Sequence, residues 1–304
     1  MDTTFYYVVD KSQNNVYLFD KNGSFYSKVT RFGNGPEEYL ELTDVDVNNN
    51  LIYILSNPNK SIYVFKIDGE FVKKISLNDW FHHIDVHDEC INLHSSKSNN
   101  IGYDVVVIDY KGKIKNNFLP FQTDNSYRFS FSPFQQTKNS SLLTFPYDSR
   151  IALLEKDSCE YKYKLEFDTS YKLTVEKLET LSYEEIKEEV SGKNYLYYID
   201  GVTLNSGNQL CGVATINYTN QGLRQLLFKV NTYTGESSVY KLGEEISTEY
   251  PYLNNIIAVD DEHYYSIVEP MYVSIINENF DVENGLECDE DDNPIICIYK
   301  LKKQ

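Results

Sequence analysis

The chain lacks any run of 18 apolar residues, so the sequence offers no transmembrane helix. Its opening, Met1-Asp2-Thr3-Thr4-Phe5, has neither a basic stretch nor an apolar one, and no signal peptide is visible in it. Methionine (2) and tryptophan (1) are scarce and alanine is rare, a composition that does not favour long helices. Cations are short: 28 Lys and Arg stand against 46 Asp and Glu, a net charge of −18. Phosphate backbones and anionic membrane surfaces are repelled by such a field, so no nucleic-acid partner is expected. The five cysteines, Cys90, Cys159, Cys211, Cys288 and Cys297, are odd in number and form no C-x-x-C pair. They read as buried free thiols, with a single Cys288–Cys297 bridge left open. No G-x-S-x-G, H-E-x-x-H or Walker A pattern occurs, so no catalytic residue is assigned and no cofactor is expected.

Aromatic residues are plentiful: 27 Tyr and 16 Phe. With Val, Ile and Thr they suit a pleated, half-buried surface. The 29 Asn residues, many in pairs such as Asn14-Asn15 and Asn116-Asn117, suit turns. Many short strands and many turns follow.

One unit recurs: strand, tight turn, strand. Val16–Phe19 leads through Asp20-Lys21-Asn22-Gly23 into Phe25–Val29. Ile62–Phe65 leads through Lys66-Ile67-Asp68-Gly69 into Phe71–Ile75, and Val105–Ile108 through Asp109-Tyr110-Lys111-Gly112 into Lys113-Ile114-Lys115. The turn glycines lie 46 and 43 residues apart. Weaker copies are centred on Asp157 and Gly235, with an insertion between them. There Ser182-Tyr183-Glu184-Glu185 forms a capping box, and the spacing predicts one helix over about 182–191, stopped by Gly192. A repeat of 40–46 residues with about four strands is the arithmetic of a β-propeller. The expectation is an all-β, six-bladed propeller of four-stranded antiparallel blades, residues 1–304 forming a single domain. A pair of β-sandwiches is the alternative. Strand counting leaves the first and last blades with three strands each, and the missing ones are expected upstream of Met1.

Arg31-Phe32-Gly33-Asn34-Gly35-Pro36-Glu37-Glu38-Tyr39-Leu40 resembles the G-x-G-P-x-E-Y loop of the Bacteroides-type six-bladed β-propeller family. Asp291-Asp292-Asn293-Pro294 and the following apolar strand resemble that family's closing segment. These propellers are NHL-like, and many are predicted envelope lipoproteins. The resemblance covers nearly the whole chain. It implies a periplasmic or outer-membrane-associated location, a lipid anchor only upstream of this chain, and no established activity. The loop itself reads as a brace between blades, with Gly33 and Gly35 taking angles other residues resist and Glu37 or Glu38 accepting backbone N–H groups.

Four of the five histidines cluster at 82, 83, 87 and 94. By the period of two, His83, Asp85 and His87 share a strand face and are weak candidates for a metal site. A short exposed edge strand gives the same pattern without a metal. Glu287-Cys288-Asp289-Glu290-Asp291-Asp292 reads as a solvated acidic turn, its spacing unlike a calcium loop. Acceptor triplets for N-glycosylation at Asn22, Asn59, Asn139 and Asn217 carry no weight in a bacterial protein. The function expected is a non-enzymatic binding or scaffold propeller, its partner an unidentified protein, small molecule or glycan. The alternative is a propeller hydrolase or lyase with a metal or acidic site in its channel.

Overall fold

The computed structural model describes residues 5–95, 99–121, 128, 133–137, 140–205, 208–241, 256–259, 263–268, 270, 273 and 295–300. Four sheets are four-stranded antiparallel meanders. They comprise β4–β7 (Asp44–Asn48, Leu51–Ser56, Ser61–Lys66, Phe71–Ser76), β8–β11 (His83–Val86, Ile91–His94, Tyr103–Ile108, Ile114–Pro120), β12–β15 (Phe134–Gln136, Ser141–Leu143, Arg150–Glu155, Ser158–Lys164) and β16–β19 (Tyr195–Leu204, Gln209–Tyr218, Gly222–Asn231, Ser237–Lys241). The sheets at the two ends have three strands: β1–β3 (Phe5–Asp10, Asn15–Asp20, Phe25–Val29) and β20–β22 (Ile256–Val259, His263–Val268, Ile295–Lys300). The four-stranded antiparallel blades are as expected, but six complete ones are not found among the described residues: four sheets have four strands and, as the strand count anticipated, the two end sheets have three. Neither end sheet has a fourth strand among the described residues.

The chain divides into two compact units, Met1–Leu143 with Ala152–Lys162 and Glu179–Tyr183, and Thr144–Ile151 with Tyr163–Leu178 and Glu184–Gln304. In unit 1 the first strands of successive sheets, β4, β8 and β12, are neighbours, and the sheets stack as propeller blades do. Val16, Leu18, Tyr39, Ile52, Ile54 and Phe65 form one buried layer between sheets. Leu55, Ile62, Val64, Ile84, Val86 and Leu93 contribute to the next. At about 25 cal/mol per Å² of apolar area, each such side chain contributes roughly 1.5–3 kcal/mol. A four-stranded sheet has two faces to cover, and only a neighbour on each side covers them. In unit 2, β16 and β17 lie against β20.

The repeated turns are built alike. The N–H of Gly23, Gly69 and Gly112 donates to the carbonyl of Asp20, Lys66 and Asp109 at 3.0, 2.9 and 2.9 Å. All three glycines have positive φ (81°, 86° and 82°). Each is a three-residue hairpin loop closed by a glycine bulge, and a second bulge follows in the outgoing strand, where the register slips by one residue opposite Leu18–Phe19, Val64–Phe65 and Val107–Ile108. At Gly112 space matters as well: a Cβ there would meet the carbonyl oxygen of Ser76 at 2.5 Å.

The connecting loop at residues 31–40 is a brace, for a different reason than the sequence suggested. Neither Gly33 nor Gly35 has positive φ. Instead the Glu38 carboxylate folds back and accepts the Gly35 N–H at 2.8 Å, and a Cβ on Gly33 would lie 2.1 Å from its Oε2. Tyr39 is fully buried, and its hydroxyl donates to the Asn14 carbonyl at 2.7 Å.

The insertion holds two helices rather than one, α1 (Val175–Thr180) and α2 (Tyr183–Val190). The second begins directly after Ser182 and buries Ile186 and Val190. Gly192, with φ of 69°, follows its end. Beside α2 in unit 2, Glu189 accepts hydrogen bonds from the Tyr171 hydroxyl and from Lys177 and Lys193 at 2.9 and 3.2 Å. These bonds lower its pKa to about 2. Cys90 and Cys159 are free thiols, and Cys211 is buried. The acidic run at 287–292, the closing segment at 291–294, Asn139 and the Cys288–Cys297 question lie outside the described residues or side chains.

Candidate functional site

Two innermost strands of unit 1 alternate polar and apolar residues, Asp44-Val45-Asp46 on β4 and His83-Ile84-Asp85 on β8, and the third, β12, carries Gln135 and Gln136 after Phe134. An inner strand pairs along one edge only, so its other backbone groups need partners. Side chains of the adjoining strands supply them. The Ile84 N–H donates to Asp44 Oδ2 at 3.1 Å, and the Val86 N–H donates to Asp46 Oδ2 at 2.5 Å. Gln136 Nε2 donates to the Val86 carbonyl at 2.8 Å. Neighbouring inner strands are thus laced together through side chains.

Burial, then the charge of nearby Asp85, pushes the Asp46 pKa up to about 8. Asp85 is itself 2% exposed, and its Oδ2 accepts from three donors. Ser141 Oγ lies at 2.6 Å, Asn92 Nδ2 at 2.7 Å and His87 Nε2 at 3.0 Å. His87 Nε2 is also 2.8 Å from Ser141 Oγ. Burial alone would lower the His87 pKa, but the hydrogen bond and charge of Asp85 outweigh it, and the net shift is upward. A serine, a histidine and an aspartate meet here without forming a nucleophilic triad. A triad uses one imidazole nitrogen for the serine and the other for the carboxylate, whereas here Nε2 serves both. Ser141 is also fully buried, and its hydroxyl is spent on Asp85.

A cavity of about 670 Å³ opens beside this network, within unit 1. Its wall includes the amides Asn48, Asn49, Asn50, Asn92 and Gln136, together with His87. Val47, Val86 and Leu154 add apolar surface. The carboxylates around it already have hydrogen-bond partners. Asp88 accepts from Asn48 and Asn49 at 3.2 and 2.8 Å, which lowers its pKa, and Glu89 pairs with Lys156. Cys90, also on the wall, keeps its thiol protonated because burial raises its pKa. A smaller cavity of about 160 Å³ is lined by Asp44, Asp46, His83, Asp85 and Phe134 among others.

The three residues grouped by strand period do not converge. The strand β8 ends at Val86, so His87 lies beyond it, outside the alternation. Asp85 and His87 meet, but His83 turns to Asp44, with Nδ1 3.5 Å from Oδ2, and its ring lies 5.7 Å from that of His94. His83 and Asp85 are buried, which rules out an exposed edge strand. Among the described residues no three His, Cys, Asp or Glu side chains are placed to hold a metal ion. His94 donates from Nε2 to the Arg128 carbonyl at 3.0 Å, and burial holds its pKa well below the usual range. Asp104, buried against Arg128 at 2.6 Å, rises to about 6 because desolvation exceeds the pull of the guanidinium. Sequence reasoning missed Asp46, Ser141, Asn92 and Gln136. The available signal was the polar–apolar–polar pattern of two inner strands bonded across 40 residues.

Among the described residues no helix is long and apolar enough to cross a membrane. The chain is similar in fold to a protein described as exported from Bacteroides fragilis NCTC 9343. The TM-score is 0.74 and the identity 15%, over 98% of this chain and 88% of that one. It is also similar to a member of the DUF4221 family from Bacteroides vulgatus ATCC 8482. There the TM-score is 0.58 and the identity 12%, over 98% of this chain and 92% of that one. No curated protein matches it. Residues 2–300 match the model of a domain of unknown function, DUF4934, and the chain belongs to that family.

Proposed function

We propose that the protein is a ligand-binding propeller of the bacterial cell envelope and that its ligand occupies the 670 Å³ cavity of unit 1. That cavity is the observation carrying the reading. Its volume is that of a small-molecule site, and its amides and imidazole are polar groups of the kind that fix a ligand's orientation. The envelope location is supported by the resemblance to NHL-like envelope lipoproteins and by a fold neighbour described as exported. The test is calorimetry against a panel of neutral sugars, polyols, amino sugars, uronic acids and amino acids. Glu155→Trp, at an exposed position on the cavity wall, should abolish whatever binding the panel reveals. Binding that survives this substitution would place the ligand elsewhere.

One observation favours a second reading, a hydrolase or lyase. Asp46 keeps its proton to about pH 8 near the Asp85 carboxylate, the pairing that acid–base chemistry uses. Turnover of a glycoside, ester or lactone that is lost in Asp46→Asn and kept in Asp44→Asn would establish it. Both aspartates lace β8, so a merely structural loss would strike both variants.

A further inference from the structure

Two hydrogen-bond acceptors on the cavity wall have no partner among the described residues, and the network behind them fixes which atoms they are. Asp85 Oδ2 is a carboxylate oxygen that only accepts. Ser141 has given its one proton to that oxygen at 2.6 Å, so toward His87 its Oγ also accepts. His87 Nε2 faces both and must therefore carry the hydrogen. In the neutral imidazole this leaves Nδ1 as a bare acceptor on a residue that lines the cavity. Gln136 is fixed by the same logic. Its Nε2 donates to the Val86 carbonyl at 2.8 Å, which leaves Oε1 as an acceptor on the same wall.

Resting on the cavity as the binding site, we infer that it recognises a neutral polyhydroxylated molecule, a monosaccharide or an alditol, whose hydroxyls donate to His87 Nδ1 and Gln136 Oε1. The charges argue for neutrality. Asp88 is held by Asn48 and Asn49, Glu89 by Lys156 and Glu155 by the Ser158 hydroxyl at 3.3 Å, so each carboxylate already has a partner before an ammonium group arrives. A carboxylate ligand would face two acceptors and three acidic side chains, Asp88, Glu89 and Glu155. Hydroxyls suit the site because each can donate to one of these acceptors while accepting from an amide.

Protonation of His87 would turn Nδ1 into a donor. The charged groups around that ring are Asp85, Asp46 and Asp88, with Glu89, Glu155 and Lys156 on the cavity wall. Selectivity for a hydroxyl over a carboxylate is therefore greatest above the raised His87 pKa and narrows on acidification.

The experiment is calorimetry at an alkaline pH above the raised His87 pKa, which NMR titration locates. Each neutral monosaccharide and alditol is titrated beside its uronic acid, its amino analogue and its fully O-methylated form. Long-range nitrogen NMR of the wild-type protein reads the His87 tautomer. The inference expects binding of the neutral forms, at least about tenfold weaker binding of the O-methylated forms and uronates, a similar loss in Gln136→Leu, and an unprotonated Nδ1 whose resonance moves on titration. The NMR measurement needs no substitution, so it stands even if a variant fails to fold. A protonated Nδ1 at that pH would overturn the inference, as would undiminished binding of the O-methylated forms. If charged compounds bind and Glu155→Trp blocks them while neutral polyols do not, the cavity keeps its role and this inference falls. If no compound binds, both readings fall.

Discussion

The outer hairpins of the first three sheets and the inner strands of the same unit follow opposite rules. Outside, the turns at Gly23, Gly69 and Gly112 repeat one geometry, and each reuses a positive-φ glycine and a register slip. Inside, no two strands carry the same polar set. Asp44 and Asp46 face β8, Asp85 gathers Ser141, Asn92 and His87, and Gln136 reaches back to Val86. The repeat serves folding, and departures from the repeat on the inner strands supply polar chemistry. An outer aspartate such as Asp109 accepts N–H groups of its own turn, where water could replace it. Asp85, 2% exposed, binds partners up to 56 residues away.

Substitutions can break or sharpen that contrast. Asp85→Ala leaves the Ser141 hydroxyl and Asn92 Nδ2 without this acceptor and takes from His87 one of its two, and should cost about 3 kcal/mol in urea unfolding. Asp109→Ala, in the solvated turn, should cost much less than Asp85→Ala. Equal costs would erase the difference between inside and outside. Next comes Gly112→Ala, with an expected loss of about 2 kcal/mol, since it combines a left-handed backbone with a clash against Ser76. Gly23→Ala meets nothing within 4 Å, so only the backbone cost of about 1 kcal/mol should appear.

A further substitution concerns pH. Folded Asp46 holds its proton to about pH 8, whereas the unfolded chain releases it near pH ~4. The folded state therefore binds more protons within that window, and stability from this group falls as pH rises through it. Asp46→Asn should flatten the decline by up to about 1 kcal/mol per pH unit, seen as the difference between wild-type and variant unfolding curves. Matching slopes would mean that Asp46 is ionised in the folded protein. The smallest effect is expected at the exposed Lys66–Glu70 pair, 2.7 Å apart, where Glu70→Gln should change stability by about 0.5 kcal/mol or less.

The outer geometry was legible in the sequence because a tight turn needs glycine locally, and Asn22-Gly23 and Asp68-Gly69 state it in adjacent residues. The capping box at Ser182 likewise announced α2. The six-residue α1 gave no comparable signal. Two features misled. Gly33 invited a backbone-angle reading, while its real constraint is the returning Glu38 carboxylate, a contact made only once the loop has folded. The histidine cluster invited a strand-face reading, while β8 stops one residue short of His87. The cavity was illegible for a simpler reason. Its polar groups come from strands 40 to 56 residues apart, and no local spacing connects Asp46 with Val86 or Ser141 with Asp85. Alternating polar residues at the first strand of each repeat mark where to look, though not which partners meet.

The most direct test is a crystal structure of the protein soaked with a neutral monosaccharide. The account predicts the sugar in the cavity of unit 1, with hydroxyls within hydrogen-bond distance of His87 Nδ1 and Gln136 Oε1. A sugar seated instead against the brace at residues 31–40, with the cavity holding only water, would contradict it.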